Sequence, residues 1–226
     1  DLQEIDNIVL QELKHDATNL MLNAGAYQSA NPLITCTKSI EFDGTDDYLQ
    51  VGDVDDLDFG TESFSVCAWA KLDGALADGD DRYGIIAKTN NAGGTPNGWQ
   101  LVVRGGGTYN GLLARVGDGS NSTQLVASTD LSSQWTSGNW HFVNLVVNRQ
   151  NQTAYIYFDG VQVGSGSVSS VGTQTNTNNV EIGRWAGSDY FDGLITEVGS
   201  FNRALTALEV ASLYNQGMPT NLLVNR

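Results

Sequence analysis

The sequence predicts an all-β sandwich or jelly roll closed by one short helix. Three observations carry this. From Ser39 onward, apolar and polar residues alternate at period two in segment after segment. Glycine, aspartate and asparagine collect between those segments, with 26 glycines among 226 residues, as a fold with many turns requires. The stretch Val180–Gly217 then reads as strand, loop, long strand and helix.

Residues 1–25 come first and differ from the rest. Leu2, Ile5, Val9, Leu13, Ala17 and Leu20 recur at spacings of three or four, which predicts an amphipathic helix stopped at Gly25. Such a helix either docks on its own domain or packs against a neighbouring subunit. An irregular linker, Ala26–Lys38, joins it to the β region. The expected organisation is a helical arm and linker over 1–38, a β domain over 39–217 and a polar tail over 218–226. The chain begins at Asp1 rather than Met, as a processed form or a fragment would.

Candidate strands follow at Ser39–Asp43, Tyr48–Gly52, Ser63–Lys71, Gly84–Lys88, Gly98–Arg104, Gly111–Val116 and Thr123–Ser128. Further candidates are Trp140–Asn148, Thr153–Asp159, Val161–Gly164, Val180–Arg184 and Tyr190–Phe201. Trp140–Asn148 is apolar on both faces: Trp140, Phe142 and Val146 point one way, Val143, Leu145 and Val147 the other. Asp159-Gly160 is a tight-hairpin signal. At the end of the chain, Thr206 and Glu209 form a capping box, and Leu205 and Val210 are placed as a hydrophobic staple. Gly217 and Pro219 supply the stop.

Four segments in order resemble one known family. Ser39–Val51 (SIEFDGTDDYLQV) resembles the opening of the concanavalin A-like lectin/glucanase superfamily in its laminin G-like branch. Phe64–Lys71 (FSVCAWAK), Asn139–Gly160 and Val180–Gly217, with its Asn-Arg-Ala-Leu turn, are similar to the branch's later motifs. The resemblance implies a two-sheet antiparallel jelly-roll sandwich. It also implies a carbohydrate- or protein-binding module of secreted enzymes, adhesins or virion proteins. The ending ASLYNQGMPTNLLVN resembles such domains in structural proteins of marine bacteriophages.

Composition narrows the partners. The formal net charge is −15, from 26 acidic residues against 11 Lys plus Arg. This disfavours binding through nucleic-acid phosphates and adhesion to anionic membranes. No stretch has the length of an apolar transmembrane helix. Two cysteines, Cys36 and Cys67, make no disulfide framework and are read as free thiols.

Catalysis finds no complete constellation. Glu41 and Asp43 alternate on one strand, but the third carboxylate of the glycosidase arrangement is missing: Asp46 and Asp47 follow Gly44 at the wrong offset. His15 lies on the polar side of the first helix, and His141 is expected to hydrogen-bond within or beside the core. Neither is spaced for a nucleophilic triad or for zinc. The Gly-rich run Arg104–Gly107 is followed by no Lys-bearing helix and is not a phosphate loop. The expectation is a non-enzyme.

Calcium is the candidate cofactor, because it takes several carboxylate and carbonyl oxygens. By the resemblance, the ligands are Asp43, Asp46 and Asp47 in the first turn and Glu197 on the last long strand. Thr196 stands where the family commonly has a carboxylate. Two other acidic loops, Asp53/Asp55/Asp56/Asp58 and Asp78/Asp80/Asp81, read equally well as solvated turns.

A sugar has an apolar face and a polar rim, so its site pairs an aromatic ring with amides or carboxylates. Two loops qualify: Trp185, Asp189 and Tyr190, and Asn97 with Trp99 after the loop Asn90–Gly94. The alternative is that both tryptophans only pack the sandwich. Asn121-Ser-Thr and Asn151-Gln-Thr fit the glycosylation pattern by chance in so Asn- and Thr-rich a chain. The sequence thus leads to an extracellular or virion-surface, lectin-like adhesive module, the alternatives being a carbohydrate-binding module of a secreted enzyme and, behind it, a glycoside hydrolase. Its expected partners are glycans and, through residues 1–25, other subunits of a homo-oligomeric assembly.

Overall fold

The computed structural model describes residues 39–76, 82–89, 94–106, 109, 111–136, 138–185 and 187–214. Outside them lie the predicted arm and linker, with His15 and Cys36, and most of the loop 90–94. Asp78, Asp80, Asp81, Gly107, Gly217, Pro219 and the tail also lie outside the described residues.

Period-two alternation gives antiparallel strands in two six-stranded sheets. Sheet one has the order β1 (Ile40–Asp43), β14 (Asp192–Phe201), β3 (Phe64–Leu72), β8 (His141–Asn148), β9 (Thr153–Phe158) and β10 (Val161–Ser167). Sheet two has the order β2 (Leu49–Gly52), β11 (Val180–Ile182), β4 (Arg82–Thr89), β5 (Asn97–Arg104), β6 (Leu113–Asp118) and β7 (Ser122–Val126). A separate hairpin, β12 (Arg184–Trp185) with β13 (Asp189–Tyr190), lies against β4. The two-sheet sandwich and the closing helix α1 (Ala207–Leu213) agree with the sequence.

The expected strands Val180–Arg184 and Tyr190–Phe201 are each interrupted. Gly183 sits at φ +81° and accepts the amide of Phe191 at 2.8 Å, which pinches the chain and sends Arg184–Tyr190 outward as the hairpin. The predicted turn at Asp159-Gly160 has φ of +51° and +77°, both positive as a type I′ turn requires, and joins β9 to β10 with Phe158 opposite Val161.

The principal core fills the space between the sheets, with Phe59 stacked on Phe64 at 4.1 Å and Trp99 against both. A second apolar layer covers the outer face of sheet one. Trp69, Phe142, Val146 and Tyr157 meet Leu205 and Val210 there, and Trp69 stacks on Tyr214 at 5.6 Å. Strand β8 serves both layers, as its two apolar faces require. The capping box is formed: Glu209 N–H donates to Thr206 Oγ1 at 3.3 Å, and Thr206 N–H donates to Glu209 Oε2 at 2.8 Å. Arg203 and that amide hold the Glu209 carboxyl down to about 2. Cys67 is a free, buried thiol, pushed up to about 12 chiefly by burial. His141 is buried, its ring nitrogens 2.8 Å from Asp159 Oδ2 and 2.9 Å from Gln134 O.

One lysine is wholly buried. Lys88 Nζ donates to Asp53 Oδ1 at 2.7 Å, Asn176 O at 2.9 Å and Asn178 O at 3.1 Å, and Asp58 Oδ1 lies 3.0 Å away. The ammonium therefore ties β4 to the 53–58 turn and to the 176–178 segment. Only glycine fits beside it: a Cβ on Gly98 would stand 1.8 Å from Lys88 O. Removing one member of a buried charge cluster strands the others, at a cost of about 3–5 kcal/mol. Lys88→Ala is accordingly expected to lose about that much stability in urea unfolding; a loss below about 1 kcal/mol, the range of an exposed pair, contradicts the assignment.

Candidate functional site

Alternation on β5 turns Trp99, Leu101 and Val103 into the core and leaves Gln100, Val102 and Arg104 on the outer face of sheet two. Strand register then builds a transverse row of Gln50, Glu181, Ala87, Gln100, Arg115 and Gln124, one from each strand of the sheet. The row is exposed at Gln50 and Gln124 and buried at Ala87 and Gln100. An apolar strip of Ala87, Val102 and Leu113 meets Trp185 there, with Tyr109 and Val126 packed alongside.

The hairpin can lie this close because β4 offers no side chain beneath it. A Cβ on Gly84 would stand 2.3 Å from the Arg184 carbonyl carbon and 2.4 Å from Trp185 N. Across the hairpin Trp185 pairs with Asp189 and Arg184 with Tyr190, so the two pairs face opposite ways. Trp185 points down and is 5% exposed, and its Nε1 donates to Gln100 Oε1 at 2.8 Å. Asp189 lies 3.8 Å from Arg82, whose guanidinium sits 5.6 Å from the Trp185 ring. On the other side, Arg184 ion-pairs with Glu181 and lies 3.4 Å from the Tyr48 ring centroid. That ion pair raises Arg184 above its ordinary value. Tyr48 and Tyr190 are 6.3 Å apart, and Tyr48 is 38% exposed. The hairpin thus sets half-buried Tyr190 and exposed Tyr48 around an ion-paired guanidinium, which is the apolar-plus-polar composition a sugar ring needs.

Of the residues expected to bind sugar, Trp185, Asp189 and Tyr190 come together on this hairpin, with only Tyr190 on the Tyr48 side. Asn97 opens β5 opposite Asp118. Trp99 belongs to the core: it is 1% exposed, and its Nε1 donates to Leu57 O at 3.3 Å. The packing alternative describes both tryptophans: Trp99 lies in the core, and Trp185 is buried on the outer face of sheet two against Ala87, Val102 and Leu113. The sequence reading missed Tyr48, Arg184, Glu181, Gln100 and Arg115. Alternation on β5 places Gln100 outward, but its neighbours follow only from the register.

The expected calcium ligands divide. Asp43, Asp46 and Asp47 can bring carboxylate oxygens within 4.8 Å of one another. Those oxygens already serve the turn: Asp43 Oδ1 accepts from Thr45 N at 2.8 Å and Asp46 N at 3.3 Å, and Asp47 Oδ2 accepts from Asp43 N at 3.3 Å. Asp43 is held below its ordinary value, first by the Thr45 amide. Glu197 does not join them. Asp43 pairs with Asp192 and Ile40 with Ile195, so Glu197 lies five residues further along β14, roughly 16 Å away. The residue facing Asp43 is instead Asp192, raised by burial and by the charges of Asp73 and Asp43. The four residues therefore do not fit one ion. In the second acidic loop, Lys88 Nζ sits between Asp53 and Asp58, where a bound cation would lie. Glu41 and Asp43 are exposed on the edge strand β1.

A laminin G-type family model, described as the concanavalin A-like lectin/glucanases superfamily, matches residues 43–211. The chain belongs to this superfamily. No curated protein matches it significantly. Among solved structures, the receptor binding domain of botulinum neurotoxin D is similar with a TM-score of 0.61 at 17% identity, over 80% of this chain and 44% of that one. The binding domain of Paraclostridial Mosquitocidal Protein 1 gives 0.57 at 18% identity, over 80% and 47%. The Ruminococcus gnavus IT-sialidase CBM40, bound to α2,3 sialyllactose, gives 0.57 at 12% identity, over 79% and 98%. This member of the superfamily thus spans under half the length of the toxin domains, and at these identities the likeness is one of fold.

The hairpin's seat is testable. Gly84→Ala is expected to lift the hairpin and expose Trp185, red-shifting the part of the indole emission that Trp185→Phe removes, while the sheet signal in circular dichroism persists. Unchanged Trp185 emission contradicts the close approach.

Proposed function

We propose that this domain is a non-enzymatic glycan-binding module, and that it serves as an adhesive or structural unit of a virion or another extracellular assembly. The observation that carries the binding role is the arrangement of exposed Tyr48 and half-buried Tyr190 around Arg184, beside Glu181. Two rings offer apolar surface to a pyranose face, and the ion pair orients polar groups toward its hydroxyls. The similarity to toxin receptor-binding domains and to a sialidase carbohydrate-binding module supports the same reading. Exposure of Glu41 and Asp43 on an edge strand favours binding over hydrolysis, because a glycosidase holds its two carboxyl groups on either side of the scissile bond.

Single sites of this shallow kind bind weakly, and repetition in an assembly converts weak contacts into adhesion. In this reading residues 1–25 supply the contact to other subunits. A second reading, a carbohydrate-binding module of a secreted enzyme, is favoured by the CBM40 likeness, which covers 98% of that chain. Purification as one subunit of a large particle supports the first, and purification as a free domain the second.

A glycan array probed with the full chain is expected to give hits that Tyr190→Ala and Tyr48→Ala each weaken roughly tenfold or more, as loss of a stacking partner does. Variants that fold normally and bind unchanged contradict this site.

A further inference from the structure

On the outer face of sheet two, two neighbouring buried donors meet no acceptor. Gln100 Oε1 takes the Trp185 indole proton, which fixes the orientation of the amide. The other end of that amide, Nε2, is buried and meets no acceptor. Its cross-strand neighbours on this face are Ala87, which has only a methyl, and Arg115, which has only donors. Arg115 donates from Nη2 to Gly94 O at 3.3 Å, while its buried Nε meets no acceptor. A buried donor without an acceptor costs free energy, so two adjacent ones are rarely left so without cause.

Charge points the same way. In a chain of net charge −15, Arg104 and Arg115 lie on this face close enough for one charge to act on the other, while Arg82 beside them is paired with Asp189. Arg104 rests 3.5 Å from the Tyr109 ring centroid. Arg115 is held below its ordinary value by burial and then by the charge of Arg104. A negative group beside Arg115 relieves both effects.

We propose that Gln100 and Arg115 form an anion subsite, which takes the carboxylate or sulfate ester of an acidic glycan. This rests on the glycan-binding reading and names its substrate class. Half-buried Arg115 meets the anion through a charge-assisted bond. Gln100 Nε2 gives the second donor from below, held in place by Trp185. The long-range field of the domain repels such a ligand, so recognition is local and attraction comes only at contact.

The test is isothermal titration of the full chain with three probes: an oligogalacturonate, a sulfated carrageenan oligosaccharide and a neutral cello-oligosaccharide. At least one acidic probe is expected to bind, roughly tenfold or more tighter than the neutral one, and the two acidic arms separate carboxylate from sulfate. Arg115→Gln is expected to lose roughly tenfold or more, with Arg115→Lys recovering part of it. Gln100→Glu supplies the missing acceptor from within the chain. It is expected to abolish acidic-glycan binding without lowering the thermal midpoint. The proposal is overturned if neither acidic probe binds, if Arg115→Gln binds unchanged, or if Gln100→Glu lowers the midpoint. Neutral-glycan binding that depends on Tyr190 but not on Arg115 leaves the function standing and removes this subsite alone; an array with no hits removes both.

Discussion

A buried ammonium holds this sandwich in register. Moving a lysine out of water is unfavourable unless its charge and all three protons are met inside. Lys88 meets two aspartates and two main-chain carbonyls. Those partners come from the 53–58 turn and the 176–178 segment, so β4 cannot slide without losing all of them. Everything on the outer face of sheet two follows from that fixed strand. Gly84 on β4 takes the backbone of the hairpin, and Ala87 packs against Trp185 beside Gln100. Trp185 then reaches Gln100 on the neighbouring strand. The geometry of this outer face is a consequence of where one lysine is anchored.

Most of the fold was legible because alternation and turn chemistry are local signals. The two-faced Trp140–Asn148, the Asp159-Gly160 turn and the Thr206–Glu209 cap each depend on residues within a few positions, and each is formed as read. The hairpin was not legible. Its cause is the Gly183 pinch, where a Cβ would stand 2.2 Å from the Phe42 ring, a contact between distant segments. The site was legible only in part, for the same reason. Trp185, Asp189 and Tyr190 are neighbours in sequence, but strand alternation turns Tyr190 away from the other two. Tyr48 and Arg115 reach the site only through register, which single-strand patterns do not specify.

Net charge also proved a poor guide to local charge. The acidic clusters that suggested a bound cation are largely satisfied from within: turn amides serve Asp43 and Asp47, and Lys88 serves Asp53 and Asp58. Arg82, Arg104, Arg115 and Arg184 lie on or beside one face, with Arg82 ion-paired to Asp189 and Arg184 to Glu181. Bulk charge governs solubility and long-range steering, whereas recognition depends on the groups within a few ångströms.

Location of the bound ligand tests the central claim most directly. In a heteronuclear NMR titration with a glycan that scores on the array, the account predicts amide shifts confined to the Arg184–Tyr190 hairpin, Tyr48 and the β4–β6 strands around Gln100. Shifts centred instead on β1, the 43–47 turn or helix α1, with the hairpin silent, would contradict it.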